Sequence, residues 1–177
     1  MIQDLLILDQ KPPDVDFVSD ITMSLDKNGL IQLDINDVVA SFNDACYTDL
    51  NDLQTSISKS IFNCNDIGVH ELLVSVANPC NNKQALAIVR LTVVDTIAPV
   101  LMCPSADITI TMESGACTAA LPSLNSLLMG PDCGVTFTTS PNIDGGLAPG
   151  AHAITVTATD ASGNSSTCTL NIVVDGQ

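Results

Sequence analysis

The sequence predicts an all-β protein of packed sandwiches, on three observations. Apolar residues alternate with polar ones in "DITITM" (107–112), "GVTFTT" (134–139), "HAITVTAT" (152–159) and "TCTLNIVV" (167–174), which turns one face of each strand inward. The clusters "ESG", "GPDCG", "SPNIDGGLAPG" and "DASGN" separate these runs with residues that tolerate tight or left-handed backbone. The 177 residues are 46% hydrophobic, with no Trp and one Tyr. That aliphatic, Thr-interleaved mixture suits sheets, and short strands with frequent turns suit a sandwich with few helices.

Taken in order, the chain opens on "MIQDLLILD" (1–9), an apolar strand with no counterpart beside it in sequence. "DITMSLDKNGLIQLDI" (20–35) reads as strand, Asn-Gly turn, strand, and "HELLVSVAN" followed by "ALAIVRLTVVD" reads as a closing hairpin. "DASGN" between two alternating runs makes a second such hairpin. The halves align: "DITMSL" (20–25) with "DITITM" (107–112), "NDAC" (43–46) with "GPDC" (130–133), "RLTVVD" (90–95) with "LNIVVD" (170–175). Asp9, Asp95 and Asp175 then fall at the end of three closing strands, spaced by the length of one sandwich unit. This predicts a strand of a preceding unit or a donor strand at 1–9, a first unit at 10–95 and a second at 96–177. The Pro-containing joint "DTIAPV" (95–100) is short, which predicts a rod and not a hinge.

Charge narrows the partners. Twenty acidic residues against 5 basic ones give a net charge of -15, which argues against nucleic acid, whose binding needs clustered Lys and Arg. No apolar run reaches membrane-spanning length. "MIQDLL" lacks the basic region of a signal peptide, which predicts a mature piece or a fragment.

Seven cysteines, Cys46, Cys64, Cys80, Cys103, Cys117, Cys133 and Cys168, form no CxxC pair. In a β-rich acidic chain they read as disulfides and an oxidising, extracellular setting, not as zinc ligands. "APVLMCPSADITI", "SGACTAALPSL", "PDCG" and "TVTATDASGNSSTCTLNIVVD" resemble the hyalin-repeat (HYR) family of immunoglobulin-like extracellular modules. The resemblance covers almost all of 96–175. It implies tandem immunoglobulin-like β-sandwich domains, with Cys103 bonded to Cys168 and Cys117 to Cys133. The first half has about Asp16 and Ile88 opposite Cys103 and Cys168, so both partners of that bond are missing together. "FNCNDIGVHELLVSV" (62–76) resembles the repeats of long bacterial surface adhesins, including those of gliding bacteria, which implies a Cys46–Cys64 bond. Cys80 is then odd: an unused or buried thiol, a bond to another chain, or a rearranged pairing.

No catalytic constellation is present, and the chain is expected not to be an enzyme. No G-x-S-x-G occurs, His70 and His152 lie in strand-like runs, and acidic pairs such as "DIND" (34–37) read as solvated surface. The one cofactor considered is calcium, a hard cation that needs six to eight oxygens. Its candidate ligands are Asp95 at the joint, Asp132 beside Cys133, and Asp160 with Asn164 in the hairpin turn. Asp160 serves equally as an Asx-turn closer, and one joint Asp is few. Two modification signals remain: the Asn164-Ser165-Ser166 sequon, and Asp95-Thr96-Ile97. The latter fits the Asp-Thr-aliphatic O-glycosylation pattern that the adhesin resemblance implies at Thr96.

The expected function is structural: a segment of an extracellular adhesin or fibre whose partners are copies of itself or neighbouring repeats. Residues 1–9 are expected to add as a strand to a neighbour's sheet and so assemble filaments head to tail. The alternative is a ligand-binding module for surface glycans or for host or cell-surface proteins. With only Tyr47, Phe17, Phe42, Phe62 and Phe137 as aromatics, carbohydrate stacking is disfavoured.

Overall fold

A computed structural model describes residues 10–131 and 133–176. The chain is all-β, of immunoglobulin-like β-sandwich type, and its described residues divide into two compact units: 10–25 with 30–95, and 26–29 with 96–131 and 133–176. The strand expected at 1–9, with Asp9, lies outside the described residues.

In the first unit the strands are β1 (Asp14–Phe17), β2 (Asp20–Ser24), β3 (Leu30–Gln32), β4 (Val39–Asn43), β5 (Gln54–Ile57), β6 (Ile61–Asn63), β7 (Gly68–Ala77) and β8 (Gln84–Val94). A one-turn helix, α1 (Ile35–Val38), precedes β4. The main sheet runs β2-β8-β7-β5, and the pairs β1-β4 and β3-β6 complete the unit. The "DKNG" turn forms, with Gly29 donating to the Asp26 carbonyl at 2.9 Å. The strands on either side of it part: β2 joins β8 in parallel and β3 joins β6.

The second unit has β9 (Val100–Leu101), β10 (Ile108–Thr111), β11 (Leu128–Met129), β12 (Thr136–Ser140), β13 (Gly150–Thr159) and β14 (Ser165–Asp175). Its main sheet, β10-β14-β13-β12, repeats the order of the first, and β9-β11 stands in for β1-β4. Where β3 and β6 pair in the first unit, the second has the single bridge Ala119↔Leu147.

Alternation is what places the core. On β7 and β8, Leu72, Val74, Val76, Val89, Leu91 and Val93 are buried. On β13 and β14, Ile154, Val156, Ala158, Leu170, Ile172 and Val174 are buried. The two closing strands carry nearly the same burial sequence over 11 residues, which makes Leu91 equivalent to Ile172 and Val93 to Val174. This corrects the alignment of "RLTVVD" with "LNIVVD" by one residue. The physical reason is the period of two: a slip of one would turn every inward side chain outward. Asp95 therefore follows its strand, whereas Asp175 lies within β14, and the inward residue equivalent to Cys168 is Ala87. Ile88 faces out, 67% exposed.

The acidic surplus has a local cause. Eighteen of the 20 acidic residues are Asp, the shorter acid, which reaches its own backbone. The pattern [Asp/Asn]-x-Asn-Asp occurs at 34–37, 49–52 and 63–66, each time capping one helical turn. The first side chain accepts the N–H of the third residue in all three, at 2.9 Å. At 34–37 and 63–66 the fourth carboxylate also takes the N–H of the first residue, at 2.8 and 3.0 Å. The reciprocal arrangement is a capping box. "DIND" is thus a cap.

These caps predict an acid limit. Hydrogen bonds from Asn36 hold the Asp34 carboxyl below its usual range, and Lys59 with the Asn63 N–H does the same for Asp66. A lowered folded pKa contributes stability above the unfolded value, near 3.9, that is lost as pH falls through the folded value. Carbon-13 titration is expected to place both midpoints below that of an ordinary Asp. Midpoints at or above it would contradict the capping account.

Candidate functional site

Both units carry the same shoulder at the start of their longest strand. Gly68 (φ 128°) opens β7 and Gly150 (φ 127°) opens β13. Nothing lies within 4 Å of where a Cβ would stand at either, so the backbone conformation, not space, selects glycine. Two residues on, His70 Nε2 lies 2.6 Å from the Asp66 carbonyl and His152 Nε2 lies 2.8 Å from the Ala148 carbonyl. A carbonyl only accepts, so Nε2 carries the proton in both. Gly-x-His, "GVH" and "GAH", is therefore a structural signature of the repeat, and both histidines are spent on tying a loop to its strand. Reading His70 and His152 only as strand residues missed it, although the spacing is visible in the sequence.

The hairpin turns are also equivalent. Asn78 and Asp160, the buried polar residues among those described, open the two turns. Asp160 Oδ1 accepts from Ser162 N–H and Asn164 N–H at 2.9 Å, and Oδ2 from the Asn164 amide at 3.0 Å. These bonds close an Asx turn and occupy both carboxylate oxygens. Of the other calcium candidates, Asp95 is half-buried at the joint, and Asp132 lies outside the described residues. Among the described residues, no three His, Cys, Asp or Glu side chains are arranged to hold a metal. Thr96 is exposed. Asn164, the sequon residue, already donates its amide to Asp160, and a glycan on that nitrogen would take one of its hydrogens.

Cys103 and Cys168 are bonded, their Cα atoms 6.1 Å apart. The other two expected pairings are corrected: Cys46 and Cys117 are exposed thiols, as is Cys80, so neither Cys46–Cys64 nor Cys117–Cys133 forms. Cys64 and Cys133 are each disulfide-bonded already, and a sulfur makes only one such bond. Cys46 is also held elsewhere, through Asp44, against the turn that contains Asn78 and Cys80.

Tyr47 lies at that junction. Its ring packs on Leu50, Leu53 and Val76, and its hydroxyl is 2.9 Å from Cys80 Sγ. This hydrogen bond, then loss of solvent, pushes the phenol up to about 12. Tyr47 is the only Tyr in a chain without Trp, so phenolate absorbance reads it alone. With the thiols reduced, the titration midpoint is expected about two units above that of free Tyr. A raised folded pKa favours the neutral phenol, so the contribution is complete below the unfolded value and lost as pH rises through about 12. A midpoint near 10 would show that the bond to Cys80 is not made.

Phe62 is buried, and Phe17, Phe42, Tyr47 and Phe137 are half-buried, so none of these rings stands fully exposed. An open groove beside β12 in the second unit is lined by Leu121, Leu124, Phe137, Asn142, Ile143 and Asp144 among others. Among the described residues no helix is long and apolar enough to cross a membrane.

No family model matches the sequence, and no curated protein matches it. Solved structures similar in fold include two extracellular cadherin domains of human protocadherin-24, with TM-score 0.36, 12% identity, and 95% of this chain and 100% of that one covered. Human mucin-like protocadherin EC1-2 gives 0.39, 11%, and 92% and 98% coverage. Drosophila N-cadherin EC1-4 gives 0.36, 11%, and 94% and 50%.

Proposed function

We propose that this chain is a structural, non-catalytic segment of an extracellular or cell-surface adhesin or fibre, and that its work is to bear tension. The observation that carries this reading is how each unit's ends are joined. In the first unit β2 lies parallel to β8, from Asp20↔Arg90 to Ser24↔Val94. In the second β10 lies parallel to β14, from Ile108↔Ile172 to Thr111↔Asp175. Pulling the entry of a unit away from its exit loads a parallel ladder along the strands. All its evenly spaced hydrogen bonds then resist together, instead of opening one by one. In the second unit the Cys103–Cys168 bond joins the same two regions covalently.

Single-molecule stretching tests this. The second unit should yield almost no length until Cys103–Cys168 is reduced, because the bond encloses most of that unit. Unfolding at the low force of an unzipping hairpin, in both units, would remove the mechanical role. The finer form of the proposal has residues 1–9 adding to a sheet edge of a neighbouring copy, with main-chain hydrogen bonds supplying affinity. Beaded filaments in negative stain that vanish when 1–9 are deleted are its expected result, and compact particles from the intact chain would dismiss it.

A further inference from the structure

The loop leaving β4 and the turn between β7 and β8 are tied at two points. Asp44 Oδ1 accepts from the N–H groups of Cys46 and Tyr47 at 2.9 and 3.2 Å. Asp44 Oδ2 accepts from the Asn78 amide at 3.2 Å, and Asn78 Oδ1 takes the Cys80 N–H at 2.9 Å. Asn78 is fully buried, so this tie is anchored in the unit. The second tie is the Tyr47 hydroxyl on Cys80 Sγ, with the ring seated on the Leu50, Leu53 and Val76 core. Cys46 lies between Asp44 and Tyr47, the two residues that grip the opposite turn, and Cys80 lies on that turn. Both thiols are exposed.

We propose that Cys46 and Cys80 are a disulfide pair that staples the loop after β4 to the tip of the β7-β8 hairpin. The third cysteine of this unit, Cys64, is already disulfide-bonded, which leaves these two as the exchangeable thiols of the unit. Formation takes two protons and two electrons from the thiols. The acceptor is a disulfide of the glutathione class or a thiol oxidoreductase, whose own disulfide is reduced to two thiols. Closure displaces the Tyr47 hydroxyl from Cys80 and leaves the Asp44–Asn78 tie in place. A disulfide needs Cα atoms within about 4.4–6.8 Å, and two facing turns held by a shared carboxylate–amide bond are suited to that. That the oxidant is met in use rests on the extracellular reading above; the pairing itself does not.

The test uses the whole chain, treated with oxidised glutathione, blocked with N-ethylmaleimide in the folded state and cut at Asp without reduction. The expected product is the Cys46 peptide joined to the Cys80 peptide, lighter by two hydrogens than the two thiol forms and carrying no maleimide. In Cys80→Ser, Cys46 should appear in no cross-linked peptide and should carry either maleimide or a single glutathione, because no second thiol displaces it. Phenolate absorbance supplies an independent readout: oxidation should return Tyr47 from about 12 toward its ordinary value, with reduction reversing it. Complete labelling of both thiols after oxidation, or a Cys46–Cys64 peptide, would overturn the pairing. A bond formed with glutathione, but thiols in protein taken from the cell surface, would count against the extracellular reading and leave the pairing standing.

Discussion

Phe62→Ala is expected to lower the stability of the first unit by about 3–5 kcal/mol, the range for deleting a buried aromatic side chain. Phe62 on β6 is 0% exposed and pairs with Ile31 on β3, itself 4% exposed. Its ring meets the His70 ring on β7 at 5.3 Å between centroids. The Lys59 ammonium sits 4.9 Å above the same ring and pairs with Asp66. One ring thus joins the short β3-β6 pair to the long β7-β8 hairpin under a lid of charge. Removing it opens a cavity that β-strands on both sides cannot collapse into, and leaves the Lys59 stem without a floor. Since a domain holds only about 5–15 kcal/mol in all, the unit's melting temperature should fall by on the order of 20 °C. Calorimetry with residue-level amide exchange separates the units. A loss below about 1 kcal/mol, or one shared equally by the second unit, would refute this account.

Much of the architecture is legible in the letters because it rests on local rules. The long strands β7, β8, β13 and β14 carry strict alternation, and "DASGN" and "DKNG" carry their turns. What escaped reading was whatever depends on pairing at a distance. β1, β5 and β6 are three or four residues each, too short to show a period, and are strands only because a neighbour completes them. The half-to-half alignment slipped by one at the closing strand because "VVD" recurs at both ends, while burial parity follows Leu91 and Ile172. Cysteine pairing was legible where the resemblance and the topology agree, at Cys103 and Cys168. It was not where turns decide it: the position of Cys46 is set by Asp44 reaching Asn78, a contact across 34 residues that no spacing rule announces. The [Asp/Asn]-x-Asn-Asp caps and the Gly-x-His shoulders were present in plain sight, but read as acidic surface and strand.

Replacing both Cys103 and Cys168 with Ala should cost the second unit about 4 kcal/mol, mostly through freedom returned to the unfolded chain by a loop of this size. The bonded residues are separated by 65 positions, and both sulfurs pack on the unit's core. The first unit is the natural control. Its equivalent inward position on β8 is Ala87, it forms the same parallel β2-β8 ladder, and it has no such bond. The topology therefore does not require the disulfide, and the variant is expected to keep the β10-β14 register and melt lower. The first unit offsets the missing bond with a fuller second layer. Its β1-β4 ladder has four residue pairs against two in β9-β11, and it packs Ile31 with Phe62 where the second unit has Ala119 with Leu147. Denaturant unfolding followed unit by unit through amide exchange decides the matter. An unchanged second unit would mean the bond braces nothing at equilibrium, and one that no longer folds would mean the ladder depends on it. Loss of stability with the register retained is the outcome that makes the disulfide a brace for a thin second layer.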